Sequence, residues 1–337
     1  MEEFTEALEK LGAECKLVDE GDFAKPFPSK KIIDWFRKDR KLNKLLENFK
    51  PDVVFVDRQA NVCKCIIKSG IPVFVFLRGQ YWSEVEWAKR TLYRDPVMKT
   101  VVNMRDKIAT ECFEKSTAVL PICKYLENIV LEHHPKQNTH ILMEGIHSVN
   151  WFKTHGMKLN HPCVGLVQDA NWWGKTKEML ILKEVMDLMP DVTFYWAGGG
   201  PFQEKILDVL NQCENFKFLG RLDYPDSVRD FLSEIDVYAL ISGMDLGPRT
   251  INEAQLMSKP IVASNVGGIG EIMKNNETGF LVEEGNAQDL KEKLEILLNN
   301  KDTADEMGRA GRKRAEELFN WGKIAQDFLD ISKKYVK

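Results

Sequence analysis

Short apolar runs recur along the chain, each bounded by polar residues and separated by segments with helical spacing. In the first half they fall at 51–57, 70–77, 118–122 and 140–143, with a helical stretch at 58–69. The second half repeats the plan, with runs at 163–167, 193–197, 216–219, 237–240 and 260–264 and helices near 176–189, 202–212, 225–235 and 249–257. Continuous apolar strands alternating with helices predict parallel sheets covered on both faces, an α/β class. A final stretch, 287–337, is charged and amphipathic. Apolar periodicity lapses at 148–162, where His, Asn, Gly and Pro gather, so a link between two doubly wound domains is expected there. The predicted domains are 1–155 and 156–320, with a cleft between them and a last helix, 321–337, crossing back to the first. The start departs from this plan. Residues 4–11 already have helical spacing, Gly12 ends that helix, and 15–18 reads as a strand. A doubly wound domain opens with a strand, so the first domain is expected to lack its first strand here or to have that place filled by another segment.

The length of 337 residues fits two domains. Hydrophobic residues are 44% and charged residues 29%, which excludes a disordered or collagen-like chain. No apolar run approaches the roughly 20 residues of a membrane-spanning helix. Met1, Glu2, Glu3 and Phe4 do not read as a secretory signal, and seven scattered cysteines do not form a disulfide framework, so a cytoplasmic protein is expected. The net charge of −4 hides an asymmetry: 1–160 carries 26 basic against 22 acidic residues, the remainder 21 against 29. The basic excess concentrates in 25–50, among Phe27, Trp35, Phe36 and Phe49. That stretch reads first as a solvated helix face with core anchors, and second as a peripheral contact with an anionic membrane at its inner face. A nucleic-acid partner is not expected.

The densest chemistry lies in 242–271. A strand ends at Leu240, Gly247 and Pro248 shape the loop after it, and a helix begins near Arg249. First-turn N–H groups of Arg249, Thr250 and Ile251 lack internal partners, and with the helix dipole they suit a diphosphate. Glu253, one turn further in, is placed to accept hydrogen bonds from ribose hydroxyls. Asp245 precedes it on the loop, where a carboxylate can accept from sugar hydroxyls.

Two carboxylates at this spacing, Asp245 and Glu253, followed by Lys259-Pro260-Ile261-Val262-Ala263-Ser264-Asn265-Val266-Gly267-Gly268-Ile269-Gly270-Glu271, resemble the GT-B-fold retaining glycosyltransferases, in particular glycosyltransferase family 4 (glycosyl transferases group 1). That family usually has Glu where Asp245 stands. Ala197-Gly198-Gly199-Gly200-Pro201 resembles its glycine turn after a strand, 276–282 its next segment, and 144–152 its interdomain stretch. The resemblance implies two Rossmann-like domains facing across a cleft and transfer of a sugar from a nucleotide-sugar donor with retention. It implies that Glu253 binds the ribose and that Asp245 with Leu246, Gly247 and Pro248 faces the donor sugar. Lys175 matches the family's diphosphate lysine, and Arg249 is a candidate for its missing arginine partner. Thr250, Ile251 and Gly199 complete the expected donor side. Trp172 and Trp173 read as half-buried loop anchors.

On the acceptor side, Arg78-Gly79 stands where the family commonly has His-Gly. A permanent cation there would suit an anionic acceptor, with structural ion pairing as the other reading. The acceptor itself, whether a glycan, a lipid-linked sugar or a small molecule, is not legible. No Asp-x-Asp pair is found where a sugar-nucleotide metal site would need one, so no metal and no cofactor is expected beyond a UDP- or GDP-linked donor as substrate. Two other readings stay open on the same fold: a sugar-nucleotide 2-epimerase, and a non-catalytic nucleotide-sugar-binding or scaffolding protein.

Overall fold

A computed structural model describes residues 1–23, 40–59, 61–91 and 93–336. These divide into two compact units, Met1–Glu144 with Trp321–Lys337, and Gly145–Asn320.

In the first unit, strands β1 (Val54–Asp57), β2 (Val73–Leu77) and β3 (Ala118–Pro121) form a parallel sheet in the order β1-β2-β3. Every residue of β2 is buried, which is why it reads as an unbroken apolar run. The helix Trp321–Ser332 packs here: Phe328 meets Phe4, Phe55 and Phe74 edge-on at 5.6, 5.2 and 5.5 Å. The Trp321 indole N–H donates to Glu3 at 2.7 Å.

Two expected strands are corrected. Residues 140–143 lie beside β3 through only two backbone bonds, His140 N–H to Val119 and Leu142 N–H to Pro121, and are not a strand. Residues 15–18 form no strand either, because among the described residues no strand flanks them. The domain boundary also moves. Residues 145–155, expected in the first domain, pack with the second: Trp151 is buried, Arg229 lies 4.3 Å over the Phe152 ring, and Thr154 bonds the Ser233 hydroxyl at 3.1 Å.

The second unit holds strands β4 (Cys163–Val167), β5 (Thr193–Ala197), β6 (Phe216–Gly220), β7 (Val237–Leu240), β8 (Ile261–Ser264) and β9 (Phe280–Val282). All pair parallel, in the order β6-β5-β4-β7-β8-β9. The order reverses between β4 and its neighbours β5 and β7, the switch point at which doubly wound sheets bind ligands beyond their strand C-termini. Its core is built from Leu166, Phe194, Trp196, Val237 and Val262, with Leu290 and Leu294 of the helix Ala287–Asn299. Among the described residues no helix is long and apolar enough to cross a membrane.

Candidate functional site

Three loops converge beyond the C-terminal ends of β4, β7 and β8. The β4 loop leads into a short helix, Trp173–Thr176, that carries Lys175. The β7 loop carries Asp245 and leads into the helix Arg249–Leu256. The Lys175 ammonium pairs with Asp245 Oδ2, and the Asp245 side chain is only 10% exposed. The other carboxylate oxygen, Oδ1, accepts the Leu246 N–H at 3.0 Å.

Backbone contacts fix this pair. The Gly243 N–H donates to the Lys175 carbonyl and the Gly268 N–H to the Asp245 carbonyl, both at 2.9 Å. Gly267 lies at φ +57°, and a Cβ there would come within 1.9 Å of the Asp245 carbonyl oxygen. Only glycine allows both the left-handed conformation and this approach. Below the loop, the Ser242 N–H donates to the buried Ser264 hydroxyl at 3.0 Å, and the Ser242 hydroxyl donates to the Met244 carbonyl at 2.9 Å. Neither serine was marked by the sequence beyond its place in the motif, because a strand-end serine carries no distinctive spacing.

The helix Arg249–Leu256 starts after Pro248 without a side-chain cap. One expectation is corrected here: the Ile251 N–H bonds the Pro248 carbonyl at 3.1 Å, a tight first turn, so it is not one of the donors without an internal partner. Glu253 is 3% exposed. Burial pushes its carboxyl up to about 7, against the opposing pull of the Arg249 charge and a hydrogen bond from Tyr224. Under it, the Tyr238 phenol is fully buried, bonds the Val167 carbonyl at 3.3 Å, and is pushed upward by burial. Leu246 and Pro248 are buried, Gly247 and Thr250 half-buried, and Arg249 exposed.

The glycine turn after β5 packs against the β4 loop. The Gly199 carbonyl accepts the Ala170 N–H at 2.7 Å, while its own N–H donates to Asp169 at 3.1 Å, and Asp169 also pairs with Arg221 at 3.1 Å. Gly199 therefore shapes the loop, with its N–H engaged by a side chain. Trp172 and Trp173 are half-buried, and Trp173 lies 5.6 Å from Phe202. Glu178, which sequence reasoning missed, is buried and accepts the Gly285 N–H; burial and nearby Glu284 raise its carboxyl.

On the first unit, Arg78 is held by two carboxylates. It forms a two-point bond with Asp57 at 3.1 and 2.6 Å and reaches Glu144 at 3.0 Å. The guanidinium that the sequence offers to an anionic acceptor is engaged in a triad of net negative charge. Gly79 is buried, and a Cβ there would meet the Glu84 carboxylate at 2.4 Å. Of the basic stretch 25–50, residues 25–39 with Phe27, Trp35 and Phe36 lie outside the described residues. The helix Arg40–Phe49 buries Leu42 and exposes Lys41 and Lys44, the pattern of a solvated face with a core anchor.

Among the described residues one grouping has metal-ligand character, His161, Cys163 and Asp236, at the opposite end of β4 from Lys175. Asp236 is already engaged there, accepting the Cys163 N–H at 2.7 Å and bonding His161 Nδ1 at 2.8 Å. Lys259, pulled down to about 8 by burial, donates to the Ser233 and Ile235 carbonyls beside it.

Residues 174–314, which contain the Lys175–Asp245 pair and Glu253, match the family model of glycosyl transferases group 1. The fold is GT-B. Sucrose-phosphate synthase from Thermosynechococcus elongatus superposes with a TM-score of 0.71 at 18% identity, over 98% of this chain and 91% of that one. An Anabaena protein, HepE, solved with UDP-glucose, superposes at 0.66 and 17% identity over 87% of this chain and 82% of its own. In sequence, an uncharacterized glycosyltransferase of Methanocaldococcus jannaschii is 30% identical over 146 residues, 43% of this chain. The GT-B chain spans about two fifths of that relative's length, the matched part being 40% of it.

Proposed function

We propose that the protein is a metal-independent retaining glycosyltransferase that moves a sugar from a nucleoside-diphosphate donor to a hydroxyl acceptor. The observation that carries this reading is the meeting of Lys175 and Asp245 from two loops beside the first turn of the helix that bears Glu253. A cation, helix N–H donors and two carboxylates then lie where a diphosphate, a sugar and a ribose must be held together. The match of 174–314 to group 1 glycosyl transferases supports the reaction class, and the HepE complex with UDP-glucose supports a uridine-type donor.

In this reading the bond from the anomeric carbon to the diphosphate oxygen breaks, and its electron pair leaves with the diphosphate. Lys175, Arg249 and the first-turn N–H groups meet the charge that develops there. The acceptor hydroxyl adds to the same face of the sugar, and its proton passes to the departing phosphate oxygen, so no strong general base is required. Asp245 orients the sugar hydroxyls. Glu253 accepts from the ribose, taking up the position at which Tyr224 now donates.

Thermal-shift binding with UDP, GDP, ADP and CMP and their sugar conjugates tests the donor site, with Glu253→Ala as control. A ligand at a hundred times its dissociation constant stabilises by about 2.7 kcal/mol. Product analysis then tests the reaction. A new glycoside supports transfer, a new donor isomer indicates epimerisation, and a bound nucleotide with no product indicates a binding or scaffolding role.

A further inference from the structure

Strands β4 and β7 pair parallel with Val164 opposite Val237, so the residues just before these, Cys163 and Asp236, come side by side. The Cys163 N–H donates to Asp236 Oδ2 at 2.7 Å. His161, two residues before Cys163, places Nδ1 2.8 Å from the same oxygen and 3.7 Å from the Cys163 sulfur. One ligand atom from each of the three side chains lies within 4.8 Å of the others. The second imidazole nitrogen, Nε2, is 3.1 Å from Glu234, the last residue of the helix Asp226–Glu234.

A thiol, an imidazole and a carboxylate are the donor set of a zinc site. Bonds of about 2.3 Å to sulfur and about 2.0 Å to nitrogen or oxygen set neighbouring ligand atoms about 3.3–3.5 Å apart around a tetrahedral ion. The separations here, 2.8 and 3.7 Å, fall on either side of that. Glu234 supplies the outer carboxylate that orients a ligating imidazole, on the nitrogen that does not meet the sulfur. Both bonds to Asp236 use Oδ2, and Oδ1 accepts none among the described residues, which leaves a carboxylate oxygen for an ion. Cys163 is fully buried, while the His161 side chain is 39% exposed, so the sulfur lies behind an imidazole that solvent reaches. Burial pushes the free thiol up to about 12, and a cation beside it offsets that cost. Once the thiol proton leaves, two carboxylates and a thiolate outnumber the cations nearby, Lys259 and the exposed Lys153.

We propose that His161, Cys163 and Asp236 bind one divalent cation of the zinc type, with water in the fourth position on the exposed side. Both imidazole nitrogens face carboxylates in the ion-free chain, so both carry protons. On binding, the Cys163 thiol and Nδ1 each release a proton to solvent, sulfur and nitrogen donate their electron pairs to the ion, and Nε2 keeps its proton toward Glu234. The ion ties the start of β4 to the turn before β7, at the opposite end of β4 from Lys175, and takes no part in sugar transfer.

The test is Co²⁺ titrated into the full chain and followed by absorption, with Zn²⁺ as competitor. The expected result is one-to-one saturation with a thiolate-to-cobalt charge-transfer band in the near ultraviolet, lost when Zn²⁺ is added. Cys163→Ser abolishes the band, which separates this sulfur from the other free cysteines. Glu234→Gln keeps a hydrogen-bonding side chain and weakens Zn²⁺ by about tenfold or more. His161→Gln, a change at a partly exposed side chain, weakens Co²⁺ by about tenfold or more and decides the case if Cys163→Ser does not fold. Zn²⁺ also raises the melting temperature of the original chain and not that of His161→Gln. No charge-transfer band, a band that survives in Cys163→Ser, or an unaltered affinity in His161→Gln or Glu234→Gln each overturns the proposal. The first of these is the result that an ion triad of Glu234, His161 and Asp236 alone would give.

Discussion

The two sheets of the molecule are built from similar apolar runs and end differently. In the second unit β4 is flanked by β5 and β7, and the loops at their C-terminal ends are drawn together by glycines. In the first unit β1 is terminal and faces a cavity, and the C-terminal end of β2 is closed by the Arg78 ion triad. An apolar run thus specifies a strand only when a neighbour is present to complete its ladder. Site chemistry follows from the same difference. In one unit a cation and a carboxylate from two loops pair beside the first turn of a helix, while in the other a single arginine is held between two carboxylates.

The largest expected effect separates the two cations. Lys175→Ala removes the side chain assigned to the leaving diphosphate, and transfer should fall by about a hundredfold to a thousandfold. Stability should fall too, by about 1–3 kcal/mol, because the largely buried Asp245 then keeps only its bond from the Leu246 N–H. Steady-state kinetics beside a melting curve would show this, and a large melting loss with unchanged turnover would reverse the assignment.

Glycine substitution sharpens the comparison next. Gly267→Ala drives a Cβ into the Asp245 carbonyl at φ +57° and should cost about 2–4 kcal/mol, together with donor binding. Gly12→Ala, at φ +90° with nothing within 4 Å, meets only backbone strain and should cost about 1 kcal/mol. Hydrogen exchange would place the first loss in the second unit and the second loss in the first.

Much of this is legible in the sequence, and the rest depends on element length, on neighbours and on loop geometry that local pattern does not carry. Strands β1 to β8 are marked by their apolar runs, and the carboxylates Asp245 and Glu253 by their spacing. Residues 15–18 and 140–143 carry the same local pattern, yet among the described residues one has no neighbouring strand and the other meets β3 through two bonds only. Strand β9 was read only as part of a resemblance, since three residues are too short for periodicity to mark. Arg78 was visible as a cation, but its partners Asp57 and Glu144 are brought to it by the fold. Glu178 and the bond of Ile251 to Pro248 depend on loop geometry that no spacing encodes.

Glu253 gives a prediction in pH. Its folded value of about 7 lies above the unfolded value of 4.5, so folding favours the protonated form. That contribution is fully present below about pH 4.5 and is lost as pH rises through about 7, a change of about 3 kcal/mol. Glu253→Gln is free of it. The stability of the variant relative to the original chain should therefore rise by up to that amount between pH 4.5 and 7.5, while its nucleotide affinity falls. Urea melts across this range check the slope, and parallel curves would show that the carboxyl is not strained by burial.

The smallest effect distinguishes the two roles of Arg78. Arg78→Met keeps much of the apolar stem, removes the bonds to Asp57 and Glu144, and leaves two like charges close together. The arginine side chain is 31% exposed, so solvent screens the triad and the loss should be only about 1 kcal/mol. The loss should fall in the first unit and shrink as salt is raised, because salt weakens both the original attraction and the remaining repulsion. An acceptor-binding role predicts the opposite pattern: a raised KM for an anionic acceptor with the melting temperature unchanged. Measuring both quantities on the one variant at low and high salt separates an arginine that holds the end of its sheet together from one that holds a substrate.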